Sequence, residues 1–159
     1  MRVASADTNG DGLADIIVST ASGSSSHVKV FSGLDNTVLS SFFAFKINPK
    51  SGGTFVSTAD LNGDGRAEII SGMGAGNAPQ VSVYNSATKA LDTFMAYGQN
   101  FLGGVRVAAI TTANGKAVVV TGSGPGGGPN VRTFDAANKF KLIDSFFAGA
   151  KDNLSGVIL

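Results

Sequence analysis

A repeat of roughly 50 to 53 residues constrains the fold of this chain more than any other feature. The stretch DTNGDGLADI at 7–16 returns as DLNGDGRAEI at 60–69, and HVKVF at 27–31 returns as QVSVY at 80–84 and NVRTF at 130–134. Three copies account for nearly all of the 159 residues. A period of this length predicts a solenoid or a propeller, in which each copy buries its apolar faces against its neighbours.

Each copy contains four short β-rich stretches, which in the second copy are 54–59, 68–71, 80–84 and 91–95. VKVF and VSVY alternate as half-buried strands do, whereas the continuous run VVV is typical of a strand covered on both faces. The breaks NGDG, GMGAGNAP and NSATK are rich in turn residues. Four short antiparallel strands per copy predict the blade of a β-propeller, with strands A to D in chain order.

We therefore expect an all-β fold, a β-propeller built of four-stranded antiparallel blades, with three blades in this chain. The chain is treated as a single repeat domain. Its approximate boundaries are 1–53 for blade 1, 54–104 for blade 2 and 105–155 for blade 3, with 156–159 at the start of a next inner strand.

The composition excludes several classes of function. Charged residues make up 14% of the chain and the net charge is +1, so there is no electrostatic footprint for nucleic acid. No apolar run reaches the roughly 18 to 20 residues that cross a bilayer, and we expect no membrane insertion. There is no cysteine, hence no disulfide framework. No signal peptide opens the chain, so we expect any export signal to lie upstream of Met1.

The first aspartate-rich loop has the pattern of a set of oxygen ligands. Asp7, Asn9, Asp11 and Asp15 stand at positions 1, 3, 5 and 9, and Leu13 at position 7 offers its backbone carbonyl. Alternate residues of a tight loop turn inward together, and carboxylate and amide oxygens are hard ligands that suit calcium. Three carboxylates held this close repel one another without a cation. The pattern predicts a calcium site.

The second loop repeats this ligand set. Asp60, Asn62, Asp64 and Glu68 take the same four positions, and Arg66 stands where only a backbone carbonyl is needed. We therefore expect two Ca²⁺ ions per chain. Neither loop is an EF-hand, because the glutamate of position 12 is missing and strands flank the loop. The alternative is an ordinary Asp/Gly-rich β-turn without metal.

The third copy departs from this pattern. Its equivalent stretch, TTANGKAVVV at 111–120, has no carboxylate. Asn114-Gly115 is typical of a two-residue hairpin turn, with positive φ at one or both residues. We expect no metal in this copy.

The motif D-x-N-G-D-G-x-x-[DE]-I between strands, together with the FLGG and GPGGGP segments, resembles the FG-GAP repeat. It is also similar to the related VCBS-type repeats and to the calcium-binding blades of integrin alpha-chain propellers. The resemblance covers the entire chain. It implies a β-propeller whose calcium loops join the first and second strands of a blade, and it implies a structural role for the ion.

Glycine-rich segments recur between strands B and C. Because the strands are antiparallel, the B–C and D–A loops lie at one end of a blade and the A–B and C–D loops at the other. The segment TGSGPGGGPN at 121–130 lacks the G-K-[ST] ending of a phosphate-binding loop, and no helix is expected after it. Exposed loops on a rigid scaffold commonly carry function, so the glycine-rich end is the expected binding surface.

Two groups of side chains receive structural roles. His27, the only histidine, is expected to be a strand residue without a catalytic role, because no Ser/Asp pattern accompanies it. The phenylalanines of the fourth strands are expected between blades: Phe42, Phe43, Phe94, Phe146 and Phe147.

Three interpretations of function follow. The first is a non-enzymatic, calcium-stabilised module for adhesion, which presents its loops to a protein or polysaccharide outside the cell or at its surface. The second is a propeller-based hydrolase, which needs a nucleophile–base pair or free paired carboxylates. The third is a purely structural or engineered propeller fragment that self-assembles.

Self-assembly is expected because propellers usually close with 4 to 8 blades. Three blades leave two apolar faces in water. Two chains joined head to tail would give a homodimer with a six-bladed ring. The alternative is that these residues belong to a longer single-chain propeller.

Overall fold

The computed structural model describes residues 1–21, 26–46, 52–86 and 89–159. Twelve strands follow one another within these residues. Blade 1 contains β1 (Arg2–Ala6), β2 (Asp15–Ser19), β3 (His27–Phe31) and β4 (Val38–Phe43). Blade 2 contains β5 (Thr54–Ala59), β6 (Glu68–Met73), β7 (Gln80–Tyr84) and β8 (Ala90–Met95). Blade 3 contains β9 (Val105–Thr111), β10 (Ala117–Ser123), β11 (Asn130–Asp135) and β12 (Lys141–Phe147), with a 3₁₀ turn at Ala136–Asn138.

Each blade is one antiparallel sheet whose strands pair in chain order. The pairing of the third and fourth strands shifts register at the same place in all three sheets, after Val30, Val83 and Thr133. A bulge increases the local twist of the pair that contains it. The prediction of an all-β propeller chain with three four-stranded blades is confirmed.

The core lies between blades rather than within one of them. The inner strands β1, β5 and β9 contact in succession. One cluster joins blades 1 and 2 around Ile17, Val28 and Ile69, and a second joins blades 2 and 3 around Ile70 and Val119. All five of these side chains are fully buried. Each blade therefore depends on its neighbour to cover its apolar faces.

The fourth strands contribute only some of their phenylalanines to this core. Phe42 and Phe94 pack against the clusters, but Phe43 is 62% exposed and lies 5.0 Å from the His27 ring. Phe147 is 42% exposed. Phe146 is 47% exposed. The expectation that all five phenylalanines belong to the core between blades is therefore wrong for Phe43, Phe146 and Phe147.

No helix in the part of the chain that the structure describes is long and apolar enough to cross a membrane.

Candidate functional site

Two aspartate-rich loops connect the first two strands of blades 1 and 2: loop 1 (residues 7–14) and loop 2 (residues 60–67). Two glycines in each loop have positive φ, with 84° and 86° at Gly10 and Gly12 and 80° and 83° at Gly63 and Gly65. Glycine adopts this region without a Cβ clash, and this allows the sharp turn. The two loops therefore share one backbone design, as the repeat predicts.

The first carboxylate of each loop accepts backbone N–H groups from its own loop. Asp7 accepts hydrogen bonds from Gly10 N at 2.6 Å and from Gly12 N at 2.8 Å. These bonds, with Gly12 the larger contributor, hold the pKa of Asp7 below its ordinary value. Asp60 accepts the equivalent bonds at 2.7 and 2.8 Å. Burial raises the pKa of Asp60, but its backbone donors together outweigh burial and the net direction is downward.

The middle of each loop is held by side chain to backbone bonds. Asn9 Oδ1 accepts from Asp11 N, and Asp11 Oδ1 accepts from Leu13 N, both at 2.8 Å. Asn9 Nδ2 donates to Asp11 Oδ2 at 2.9 Å. The corresponding bonds of loop 2, among Asn62, Asp64 and Arg66, measure 2.8, 2.9 and 3.2 Å. The side chains at positions 1, 3 and 5 thus turn toward the loop interior.

The last acid of the first ligand set, Asp15, is fully buried at the start of β2. Its Oδ2 accepts from Thr8 N at 3.0 Å and from Thr8 Oγ1 at 2.5 Å. Its Oδ1 accepts from Gly33 N at 3.2 Å. Asp15 therefore ties loop 1 to the turn between β3 and β4.

The corresponding acid of the second set, Glu68, is 2% exposed. It accepts from Leu61 N at 2.8 Å and from Asn62 Nδ2 at 3.2 Å. Burial raises the pKa of Glu68, and the negative charges of Asp64 and Asp60 raise it further. A buried carboxylate that feels two other negative charges is electrostatically costly, and a cation at this place would offset the cost.

The residues of the two loops suit calcium, because every predicted side-chain ligand offers oxygen and the ligands follow one another in the same order in both loops. In the residues described, however, no three Asp, Glu, His or Cys side chains are already drawn together to hold a metal ion. Hydrogen bonds within each loop close it instead. The two calcium sites therefore stay predictions.

Loop 2 also contacts loop 1. Ala67 N donates to Asp7 O at 2.7 Å. A Cβ built on Gly10 would lie 2.9 Å from Arg66 Nε, so the Arg66 side chain covers the backbone of loop 1. From the sequence, only the backbone carbonyl of Arg66 was predicted to have a role, as a metal ligand. This contact joins the two loops across the junction of blades 1 and 2.

The third copy closes the same connection as a tight hairpin. Thr112 N donates to Lys116 O at 2.8 Å and Gly115 N donates to Thr112 O at 2.9 Å. Gly115 has a φ of 76°, while Asn114 is not among the residues with positive φ. The loop is therefore a three-residue turn, Ala113 to Gly115, ending in a left-handed glycine. The predicted two-residue turn is wrong by one residue, and the predicted positive φ occurs at Gly115.

At the glycine-rich end, backbone hydrogen bonds connect neighbouring blades. Gly74 N donates to Gly53 O at 2.9 Å and Gly124 N donates to Gly104 O at 3.0 Å. A Cβ built on Gly53 would lie 2.2 Å from Ala21 O, closer than any real contact. These glycines allow the connection between blades to pass directly over the B–C loops of both. Their role is structural.

A groove of about 390 Å³ opens at this end between blades 2 and 3. Tyr97 and Phe101 line it from blade 2, and Asn130, Arg132 and Phe147 line it from blade 3. The Arg132 guanidinium lies 4.9 Å from the Tyr97 ring centroid. The sequence did not reveal this groove, because its walls come from two blades. The only signal was the change at the Arg132 position, which is lysine in blade 1 and serine in blade 2.

Arg132 and Tyr97 are both held in fixed positions. Arg132 Nε donates to Asn130 Oδ1 at 3.2 Å and its Nη1 donates to Ala96 O at 2.9 Å. The single proton of Tyr97 OH is shared between two carbonyl acceptors, Asn130 O at 2.8 Å and Thr121 O at 3.0 Å. Burial raises the pKa of Tyr97. The groove is therefore a rigid surface of aromatic and hydrogen-bonding groups.

Comparison with known proteins agrees with the repeat and with the fold. Residues 7–71, from loop 1 into β6, match the FG-GAP-like repeat family. No curated protein matches the sequence significantly.

Three solved structures resemble the fold. The exotype rhamnogalacturonan lyase YesX superposes with a TM-score of 0.68 at 18% identity over 91% of this chain and 32% of its own. A rhamnogalacturonan lyase of Bacillus licheniformis gives 0.66 at 18% identity, covering 96% and 35%. The rhamnogalacturonan lyase YesW gives 0.66 at 17% identity, with the same coverage. The chain thus spans about a third of the length of these enzymes, and identity this low establishes the fold alone.

The match over residues 7–71 includes both aspartate loops, and it bears out the resemblance that their motif carries. Residues 7–71 are thus similar to the FG-GAP-like repeat, and the chain as a whole has a propeller-like fold.

Proposed function

We propose that this chain is a calcium-stabilised binding module that presents its glycine-rich end to a polysaccharide outside the cell or at its surface, as in adhesion. The observation that carries this proposal is the groove between blades 2 and 3, with three aromatic rings and fixed polar groups. A few convergent polar groups on a mostly apolar concave wall are typical of ligand sites.

The exposed ring of Phe147 gives the groove an apolar surface for a sugar face. Phe147 is 42% exposed and the Lys151 ammonium lies 5.1 Å from its ring centroid. Ser145 and Asn130 add hydroxyl and amide groups beside it. A sugar ring offers both an apolar face and a rim of hydroxyls, so this combination suits a carbohydrate better than an apolar peptide.

The resemblance to rhamnogalacturonan lyases supports the polysaccharide class, because those proteins act on a polysaccharide by name. The lining of the groove favours binding without turnover. It contains no carboxylate and no histidine among the described residues. Tyr97 is bonded to backbone carbonyls and its pKa is raised by burial, so it is not poised as a general base.

The calcium part of the proposal assigns one ion to each aspartate loop. The side chains of Asp60, Asn62, Asp64 and Glu68 would hold one ion together with the Arg66 carbonyl. Loop 1 would supply the equivalent groups. The buried Glu68, whose pKa is raised by burial and further by the charges of Asp64 and Asp60, supports a cation there. Because these loops lie at the opposite end from the groove, the ion would stabilise blades 1 and 2 rather than touch the ligand.

The binding test uses a matched pair of phenylalanines. Phe147→Ala should weaken binding to pectic or other oligosaccharides, identified on a glycan array and measured by calorimetry, by about tenfold. Phe43→Ala, at the same position in blade 1 and 62% exposed, should leave binding unchanged. No oligosaccharide binding by the parent chain, or equal losses in both variants, would refute the groove as the site. Release of unsaturated oligosaccharide products would refute binding without turnover.

The metal test is separate. Titration of the metal-free chain should give two calcium ions, and Asp64→Ala should give one. Calcium should raise the melting temperature by mass action, since it binds only the folded state. A melting curve indifferent to chelator would exclude the metal role without affecting the groove.

A further inference from the structure

Among the described residues that line the groove between blades 2 and 3, Arg132 is the only charged one. Its Nε and Nη1 atoms donate to Asn130 Oδ1 and to Ala96 O, at 3.2 and 2.9 Å. These bonds use two of the five N–H donors of a guanidinium. Within the described part of the chain, Nη2 has no acceptor. Arg132 is therefore fixed in the groove wall and keeps donors for a ligand.

The positive charges of the groove have no carboxylate partner among the described residues. The ion pairs of those residues include neither Arg132 nor Lys151. The Lys151 ammonium lies 5.1 Å from the Phe147 ring centroid and adds a second positive charge beside the groove. Burial, the larger effect, raises the pKa of Tyr97, and the Arg132 charge lowers it. The charge of Arg132 is therefore felt at the groove wall.

The junction of blades 1 and 2 lacks this charge. The pairing registers place Ser82 at the position of Arg132 and Met95 at that of Phe147. Ser82 is 1% exposed, and its hydroxyl is bonded to Thr93 Oγ1 at 2.9 Å. The same junction is thus built without an arginine, so packing between blades does not by itself require Arg132.

Both walls of the groove belong to blades 2 and 3. Arg132 and Phe147 lie on the face of blade 3 that turns to blade 2, as does the core residue Phe134. Successive side chains of a strand point to opposite faces of its sheet, so Val131 and Phe146 lie on the other face. The groove therefore does not depend on what packs against that other face.

On the basis of the function proposed above, we infer that the groove binds an acidic polysaccharide and that Arg132 contacts the anionic group of one sugar residue. A guanidinium can donate two parallel N–H groups to the two oxygens of a carboxylate. Because Arg132 is already held by Asn130 and Ala96, it loses little conformational freedom when a ligand binds.

The arginine makes a neutral sugar the weaker ligand. A polysaccharide in the groove removes water from the guanidinium, which is costly for a charged group unless an opposite charge takes the place of that water. The carboxylate of a uronic acid or a sulfate ester supplies this charge, whereas a hydroxyl does not. Phe147 would contact the apolar face of either sugar, so the aromatic ring contributes affinity and Arg132 contributes selectivity.

Calorimetry with matched oligosaccharides tests this selectivity. Oligomers of galacturonic, glucuronic and mannuronic acid are each compared with the same oligomer after reduction of its carboxyl groups to primary alcohols. The parent chain should bind one or more of the acidic oligomers at least about tenfold more tightly than the neutral counterpart. This ratio should fall as salt screens the charges. Calcium is held constant throughout, because free Ca²⁺ also binds carboxylates.

The neutral oligomers with added sulfate esters separate the two sources of negative charge. Tightest binding of a uronic acid oligomer assigns the carboxylate as the group that Arg132 contacts, and tightest binding of a sulfated oligomer assigns the sulfate ester. Both results support an acidic polysaccharide.

Substitutions at Arg132 test its role. Arg132→Gln should weaken binding of the acidic oligomer by about tenfold and leave binding of the neutral oligomer nearly unchanged, so that the preference disappears. Arg132→Lys keeps the charge without the planar pair of donors, and its affinity should be intermediate. Lys29→Gln is the matched control, since Lys29 takes the position of Arg132 in blade 1, and it should leave both affinities as they are.

The comparison of oligomers on the parent chain needs no substitution, so it decides the class of polysaccharide even where a variant disturbs the groove. Equal affinity for acidic and neutral oligomers overturns the acidic class, and it leaves the proposed binding function intact if Phe147→Ala weakens both. A preference that persists in the Arg132→Gln chain overturns the role of Arg132. A parent chain that binds no oligosaccharide refutes the proposed function and the acidic class together.

Discussion

Gly72 in β6 lies where the inner strand of blade 3 passes closest to blade 2. A Cβ built on Gly72 would lie 2.6 Å from Val105 O and 2.9 Å from Val107 Cγ1. Its φ is not in the left-handed region, so the requirement for glycine is one of space. In blade 1 the same position holds Ser19, whose Oγ donates to Thr54 O at 2.8 Å. That hydrogen bond makes the close approach of Ser19 favourable. The methyl group of an alanine at position 72 would press on Val105 O without forming such a bond, so Gly72→Ala should force the two strands apart.

The size of the effect follows from two opposing contributions. Val105 O must retreat by about 0.4 Å to reach the 3.0 Å below which real Cβ contacts essentially do not occur, and overpacking of this kind costs roughly 1–3 kcal/mol. Alanine also reduces the entropy of the unfolded chain, which stabilises the fold by about 0.4–1 kcal/mol. We expect a net loss of about 1–2 kcal/mol, or roughly 2–8 °C in melting temperature for a domain of this size.

Thermal and urea unfolding in saturating calcium measure this change. Gly122→Ala is the matched control, because the atoms nearest to a Cβ on Gly122 belong to the side chains of Val157 and Leu159, with Val157 Cβ at 3.0 Å. Side chains can shift where a backbone carbonyl held in a sheet cannot, so the control should lose less than about 0.5 kcal/mol. Equal losses in the two variants, or a neutral Gly72→Ala, would refute the view that backbone contact limits the spacing of blades.

Three further predictions concern single bonds and turns. Gly115→Val should destabilise the chain by about 1–2 kcal/mol in saturating calcium, since φ is 76° there and a β-branched residue resists that region; an unchanged melting temperature would contradict the turn geometry. Tyr84→Phe should cost about 1–2 kcal/mol by leaving the buried Ala44 carbonyl without its donor, and a neutral result in urea unfolding would show that water replaces it. The Lys116 ammonium donates a hydrogen bond to Asp135 and lowers the pKa of that carboxyl. The stability that Asp135 contributes is therefore fully present above the pKa of the unfolded state. It is lost as the pH falls through the lower pKa of the folded state. Lys116→Gln should raise the Asp135 pKa in an NMR titration, and an unmoved titration would exclude the ion pair in solution.

The strands could be predicted from the sequence because their signals are local. In blade 2 the predicted 54–59 and 80–84 coincide with β5 and β7, since alternation and flanking turn residues define both. The predicted 68–71 fell short of β6, which continues to Met73. Gly72 is a poor strand former by itself. It belongs to the strand because it pairs with Phe55 and lies against blade 3.

What could not be predicted lies between blades. The groove beside Tyr97 needs residues from both blades, and no spacing along the chain indicates which of them meet. The exposure of Phe43 depends on which face of blade 1 has a neighbour. The side chain of Arg66 reaches loop 1 only because the repeat brings the two loops side by side. Each of these features depends on the rotation from one blade to the next, which local propensity does not contain.

The two ends of the propeller therefore differ in how much of each can be predicted from the sequence. At the aspartate end, the predicted oxygen ligands lie within nine residues of the chain, so their motif is visible in one loop, although a hydrogen-bonded turn can satisfy the same groups. At the glycine-rich end, the recurrent glycines form backbone hydrogen bonds between neighbouring blades. The groove that we propose to bind a polysaccharide is instead built from residues that differ between copies. In a repeat protein the repeated residues maintain the fold, and the positions that depart from the repeat, such as Arg132, are those at which a specific function can arise without loss of the scaffold.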